Sequence, residues 1–257
     1  MGRSRKLDFS PLSGEKGRKS ILKEDAVDTK KVMIMVRIGD VPKEIEGKWN
    51  HWYNSTHIPN RLDKPGFLSA RRYAAIWGEF KYLTFYDLAS LDALTSEPYL
   101  KLRAWEASLA PDSFEAITLK LPNFSRGTYE QVFTYPGSGE YRSPDTEILF
   151  AVGHDVPLNR EEEFNAWYNT EHIPAMVDRV PGFLTARRFK LTEAPLAPRS
   201  GLQSPSPKYV TLYDLANENV LQSEIFRKET NSPWSSWVRS WYSRRFRIQA
   251  RLIYPKQ

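Results

Sequence analysis

The first apolar run of the chain, Val32–Ile38 (Val-Met-Ile-Met-Val-Arg-Ile), is short and rich in β-forming residues, and Ile148–Val152 has the same character. Each predicts a strand. Behind each comes Asp-Val-Pro (Asp40-Val41-Pro42; Asp155-Val156-Pro157), and then an amphipathic stretch whose apolar and polar positions recur every three to four residues. Proline suits the first turn of a helix, where its missing N–H costs nothing. The spacing predicts a helix running to about His57 and His172, where Pro59 and Pro174 disturb its continuation. Pro-Gly opens a second strand in each case. A third follows at Tyr82–Leu88 and Tyr209–Leu215, with large groups at both parities, the mark of a sheet buried on both faces. A further helix over about Leu91–Ala107 or Asn219–Ser240 and a closing strand, Thr128–Tyr135 or Phe246–Tyr254, complete each unit.

The chain repeats itself. Trp52-Tyr53-Asn54-Ser55-Thr56-His57-Ile58-Pro59 returns as Trp167-Tyr168-Asn169-Thr170-Glu171-His172-Ile173-Pro174, 115 residues later. The Pro65–Tyr73 segment returns as Pro181–Phe189 at 116, and Tyr82–Ala89 as Tyr209–Ala216 at 127. So many matches in one order identify two homologous units. Each has the order strand–helix–strand–strand–helix–strand, the ferredoxin-like split βαβ arrangement. The expected architecture is α+β, with two tandem βαββαβ units packing sheet to sheet into a barrel. The expected division is a polar basic tail over 1–30, units over 31–137 and 146–257, and a linker over 138–145. The second unit inserts 11 residues around Leu191–Lys208, rich in Pro and Ser. That segment is either a tolerated surface loop or a lid over one pocket.

Composition narrows the class. The 257 residues fit one large or two small domains, and 13 Phe, 13 Tyr and 8 Trp furnish a core. Cysteine is absent, which excludes disulfides, thiolate nucleophiles and cysteine-ligated metal centres. The net charge of +6 is concentrated in residues 1–31, where nine Lys/Arg stand against five acids and leave +2 for the other 226 residues. A balanced body argues against a nucleic-acid surface. No apolar run is long enough for a membrane span, and the first thirty residues show no secretory core, so a cytoplasmic location is expected.

Together, the Trp/Tyr-rich first helix, the His-Ile-Pro at its end and the following Pro-Gly-Phe resemble the dimeric α+β barrel superfamily, and within it ethyl tert-butyl ether degradation (EthD)-like domains. The resemblance covers 31–136 and 146–255. It implies that one chain supplies both halves of what is elsewhere a homodimer, so that either a monomeric pseudo-dimer or a homodimer is expected. Members of the superfamily resemble cofactor-free monooxygenases, polyketide cyclases, lyases and isomerases, and relatives with tandem units bind haem.

Candidate chemistry lies on the repeated helix. Glu46, Trp49, Asn50, Tyr53 and His57 share one stripe, and Glu161, Phe164, Asn165, Tyr168 and His172 share its copy. Imidazole titrates near neutrality and phenol can donate to an oxyanion, so His57, His172, Tyr53 and Tyr168 are the candidate acid–base groups. The alternative is that the two His cap helix ends. Trp52, Trp167, Asn54 and Asn169 beside them are candidate substrate contacts. Arg71-Arg72 and Arg187-Arg188 lie on strands, so the members of each pair face opposite sides; one can hold a substrate anion or pair with Asp87 or Asp214. His51 and His154, opposite Ala166 and Gly39, occur in one copy only and are expected at the surface or satisfied in the core. Four His without a ligand spacing give no metal set, and no cofactor is expected, with haem on a single His as the lesser alternative. The expected function is a cofactor-independent lyase, cyclase or isomerase acting on a small aromatic or polyketide-like molecule. The alternatives are a cofactor-free or haem-dependent monooxygenase, and a non-enzymatic small-molecule binder.

Overall fold

A computed structural model describes residues 31–121, 123–136, 147–192 and 205–255. The tail 1–30, the linker 138–145 and most of the 191–208 insertion, each singled out above, lie outside the described residues.

Eight antiparallel strands close a barrel. The first half contributes β1 (Val32–Ile38), β2 (Phe67–Gly78), β3 (Tyr82–Leu88) and β4 (Phe124–Tyr135). The second contributes β5 (Ile148–Asp155), β6 (Phe183–Leu191), β7 (Tyr209–Leu215) and β8 (Ser243–Tyr254). Around the barrel the order is β1-β3-β2-β8-β5-β7-β6-β4. Each half thus keeps the 4-1-3-2 strand order of a ferredoxin-like sheet. The halves join edge to edge where β2 pairs with β8 and β4 with β6. These two seams leave no free strand edge in the barrel.

Two-sided burial explains the apolar content of β1 and β3. Val32, Ile34, Val36, Tyr82 and Tyr86 face the helices of the first half. Met33, Met35, Leu83 and Phe85 point into the barrel, where they meet Leu149, Ala151, Val210 and Leu212 of the second half. The shared interior is one core, so neither half can shed its partner without wetting it. Pro-Gly before β2 and β6 has a backbone cause. Gly66 and Gly182 take φ of 85° and 96°, and the N–H of Phe67 and Phe183 reaches back to Lys64 O and Val180 O. That turn needs proline's fixed φ followed by a residue at home in the left-handed region.

The first helix of each half does not stop at its proline. After α1 (Lys43–Trp52) comes a π-helical turn, Tyr53–His57, and then α2 (Ile58–Leu62); α5 (Glu161–Trp167), Tyr168–His172 and α6 (Ile173–Arg179) repeat the sequence. Ile58 N–H bonds Tyr53 O, and Ile173 N–H bonds Tyr168 O. Proline has no N–H and its ring crowds the carbonyl four residues back. Widening the turn by one residue relieves both problems, and the chain continues as helix. The second helices are also more divided than their sequence period indicates. The first half uses α3 (Glu97–Ser108) and α4 (Phe114–Thr118), and the second uses α7 (Glu224–Glu229) and α8 (Pro233–Arg239). Ser232 caps α8, its Oγ accepting from Ser235 N–H at 3.0 Å just before Pro233.

Candidate active site

Most of the repeated polar stripe holds the helix to the sheet. Arg72 rises from β2 and donates to Asn50 Oδ1 at 2.6 Å and Asn54 Oδ1 at 2.9 Å. Arg188 on β6 donates to Asn165 at 2.8 Å and Asn169 at 2.5 Å. Both guanidiniums are fully buried and lie over tyrosine rings, 4.4 Å from the centroid of Tyr53 and 4.5 Å from that of Tyr168. Tyr82 OH donates to Glu46 at 2.6 Å, and Asn165 donates to Tyr209 OH at 3.1 Å. Arg71 and Arg187 face the barrel interior instead and pair with Asp87 at 3.1 Å and Asp214 at 2.7 Å. The four strand arginines and the four asparagines are therefore engaged with the protein itself.

Tyr and His at the π-helical turns face the space between helix and sheet, and here the halves part. In the first half His57 is buried, with Tyr53 and Trp52 ring centroids at 4.5 and 4.9 Å. Arg61 Nη1 lies 3.1 Å from its Nδ1, and Arg61 Nη2 donates to Glu106 Oε1 at 2.7 Å. Arg103 completes the cluster by pairing with Glu106. Arg61 and Arg103 hold the Glu106 carboxyl below its ordinary range, against the opposing effect of its burial. This ionic plug leaves a void of only about 20 Å³.

The second half has Met176 where the first has Arg61, and a cavity of about 140 Å³ remains open. His172 stacks on Trp167 at 4.6 Å, and the Trp167 indole donates to Ser235 Oγ at 3.3 Å. Across the cavity stands His154, 2% exposed, with the Tyr242 ring centroid 4.8 Å away. Burial pushes His172 down to about 3, reinforced by Arg239 and Arg188. It pushes His154 well below the usual imidazole range, with His172 and the nearby arginines adding to the effect. Both rings are neutral at physiological pH. Neither Nδ1 has a hydrogen-bond partner among the described residues. Burial also raises Tyr168, Tyr213 and Tyr242, the last to about 12, so the phenols around the imidazoles keep their protons.

His154 is the functional candidate that sequence reasoning passed over. Matching Asp155-Val156-Pro157 to Asp40-Val41-Pro42 sets it opposite Gly39. Strand register sets it opposite Ile38, because His154 pairs with Tyr209 as Ile38 pairs with Tyr82. The first half has one more residue, Gly39, between its strand and Asp-Val-Pro, whereas the bulge beside His154 puts its extra residue on β8 and leaves the pairing of β5 with β7 unbroken. The available signal was parity: Ile148, Phe150, Val152 and His154 alternate onto one face. His51, by contrast, is exposed, beside a shallow outer groove of about 640 Å³.

Among the described residues no group of three or more His, Cys, Asp or Glu gathers as a metal site. Haem does not fit the cavity. A void of about 140 Å³ falls well below the roughly 300–1,000 Å³ of sites for larger ligands. Neither unpartnered imidazole Nδ1 has the carboxylate or carbonyl that orients a metal-ligating histidine.

Two ferredoxin-like halves closing one eight-stranded barrel, with helices outside it, define a dimeric α+β barrel. No protein-family model matches the chain, and no curated protein does. Among solved structures it is similar to an anthrone oxidase-like protein, at 14% identity over 89% of this chain and 93% of that one, with a TM-score of 0.59. It is also similar to a mutant chlorite dismutase from Candidatus Nitrospira defluvii in complex with cyanide, at 7% identity over 86% and 90%, with a TM-score of 0.52. At such identities the shared property is the fold.

Proposed function

We propose that this protein is a cofactor-independent enzyme. In this reading the cavity of the second half binds a small aromatic molecule, and His154 and His172 move protons on it. The observation that carries the reading is the pair of neutral imidazoles facing one sheltered void with unpartnered Nδ1 atoms. A buried polar atom left without a partner costs about 1–3 kcal/mol, and a bound substrate would relieve it. The void's size argues for a single ring, since a cavity of about 150 Å³ accommodates benzene.

A neutral imidazole can take a proton from an acidified C–H or from a phenol O–H. Tyr168 and Tyr213, kept protonated by burial, can donate to the oxygen on which charge develops. Apolar walls, Phe150, Val152 and Phe183 among them, strengthen these interactions by excluding water. The reaction class is proton abstraction leading to elimination, isomerisation or ring closure. A second reading draws on the likeness to the anthrone oxidase-like protein: the same carbanion could pass its electrons to dioxygen. Under either, units 31–137 and 146–257 divide their labour, the first bracing the barrel and the second holding the chemistry.

The test is a panel of one-ring phenols and enolisable ketones incubated with the protein in D₂O. Loss of C–H signal is followed by NMR, with an oxygen electrode alongside. Exchange or turnover should fall about 10²–10⁴-fold in His154→Asn or His172→Asn. Full rate in both variants overturns the proposal, and oxygen uptake selects the second reading over the first.

A further inference from the structure

Among the described residues the same cavity is lined by cations and by no acid. Arg239, Arg244 and Arg247 stand along it, and no described Asp or Glu does. Elsewhere the buried Arg61, Arg71 and Arg187 are each answered by a carboxylate, and Arg72 and Arg188 by asparagine oxygens. Arg239 donates to two neutral acceptors, Ser235 O at 3.0 Å and Asn231 Oδ1 at 3.1 Å.

Arg247 is the informative one. Its guanidinium lies 5.3 Å from the Phe150 ring centroid and 5.6 Å from that of Trp77, a residue of the first half. Trp77 is itself fixed by donating to Gln249 Oε1 at 2.7 Å. No described residue accepts a hydrogen bond from the Arg247 side chain. Glu79, whose charge reaches it, accepts from its backbone N–H at 2.8 Å instead. A half-buried guanidinium oriented by two aromatic faces and left without a hydrogen-bonded anion is a prepared receptor for one. Its planar fork matches a carboxylate through two parallel hydrogen bonds.

We infer that the ligand of this cavity is a one-ring aromatic carboxylate. Its ring fills the apolar void and its carboxylate meets Arg247, with Arg244 and Arg239 adding to the field. The inference rests on the site proposed above but not on its proton chemistry. It also assigns the first half a part in recognition, because Trp77 on β2 braces the arginine of β8.

Isothermal titration with benzoate, benzamide and phenol tests it on the intact chain, at low and high salt. Benzoate should bind at least about tenfold more tightly than isosteric benzamide, with the margin shrinking as salt rises. Arg247→Gln should bring benzoate down to the level of benzamide, and Arg247→Lys should restore only part of the difference. Equal binding of benzoate and benzamide, no binding of either, tighter binding of phenolate than benzoate, or an unchanged preference in Arg247→Gln would each overturn the inference. If circular dichroism shows Arg247→Gln unfolded, the wild-type preference and its salt dependence decide. Arg247-dependent benzoate binding with no proton exchange leaves this inference standing and removes the acid–base reading. Exchange that needs both His, on neutral compounds bound as tightly as benzoate, does the reverse.

Discussion

Two histidines kept neutral by burial set the pH behaviour of the fold. His172 is depressed to about 3 and His154 is also depressed, while an unfolded imidazole titrates near 6.5. Below that value the unfolded chain binds protons that the folded one refuses, so stability is full above about pH 6.5 and is lost as pH falls. At pH 5 each buried histidine should cost on the order of 1–2 kcal/mol. The depressed carboxylates, Glu161 at about 2 and Glu106, add their losses only at lower pH. Melting temperature should therefore fall between pH 7 and 5 in the wild type and fall less in His154→Phe. A parallel slope in the two proteins contradicts the burial of His154. The sequence shows this residue as an unmatched histidine, because matching Asp-Val-Pro sets it opposite Gly39 whereas strand register sets it opposite Ile38.

At the scale of elements, the repeated Asn-x₃-Asn and strand Arg form a clamp that seats each helix on its sheet. Removing Arg188 strands two buried amide oxygens and a cation-shaped hole, so Arg188→Leu should cost about 2–4 kcal/mol, read by urea unfolding. A loss below about 0.5 kcal/mol would show that the clamp is dispensable. In the ionic plug of the first half, Glu106→Gln leaves Arg61 buried beside a weaker partner. It should destabilise by about 3–5 kcal/mol, and the paired change Arg61→Met with Glu106→Leu should cost less than Glu106→Gln alone. The reverse order of stabilities would refute the plug. Much at this scale is legible in the sequence. Short β-rich apolar runs mark the strands and Pro-Gly marks the turn before β2 and β6. The π-helical turns are not legible, since Pro59 and Pro174 read as stops until the backbone is seen to widen around them. Nor is the clamp: Glu, Asn and Tyr on one stripe signal chemistry as readily as attachment, and only the reach of Arg72 and Arg188 from the next strand decides.

For the whole molecule, the duplication reveals the barrel and conceals its asymmetry. The matched blocks name the fold because both copies must pair the same strands, whereas Arg61 opposite Met176 is one mismatch among many. That mismatch, with Glu106 behind it, separates a void of about 20 Å³ from one of about 140 Å³. The two histidines that look equivalent in sequence therefore sit in different surroundings, and the proposed function gives bracing to His57 and chemistry to His172. Because both seams join strands of one chain, the protein should run as a closed single-chain barrel at low concentration in light scattering, and a concentration-independent dimer would contradict that. The most direct measurement compares solvent deuterium exchange into a bound one-ring substrate for His57→Asn and His172→Asn at matched folded fraction. The account predicts wild-type exchange in His57→Asn and loss in His172→Asn. Equal loss in both variants, or loss in His57→Asn alone, would contradict it.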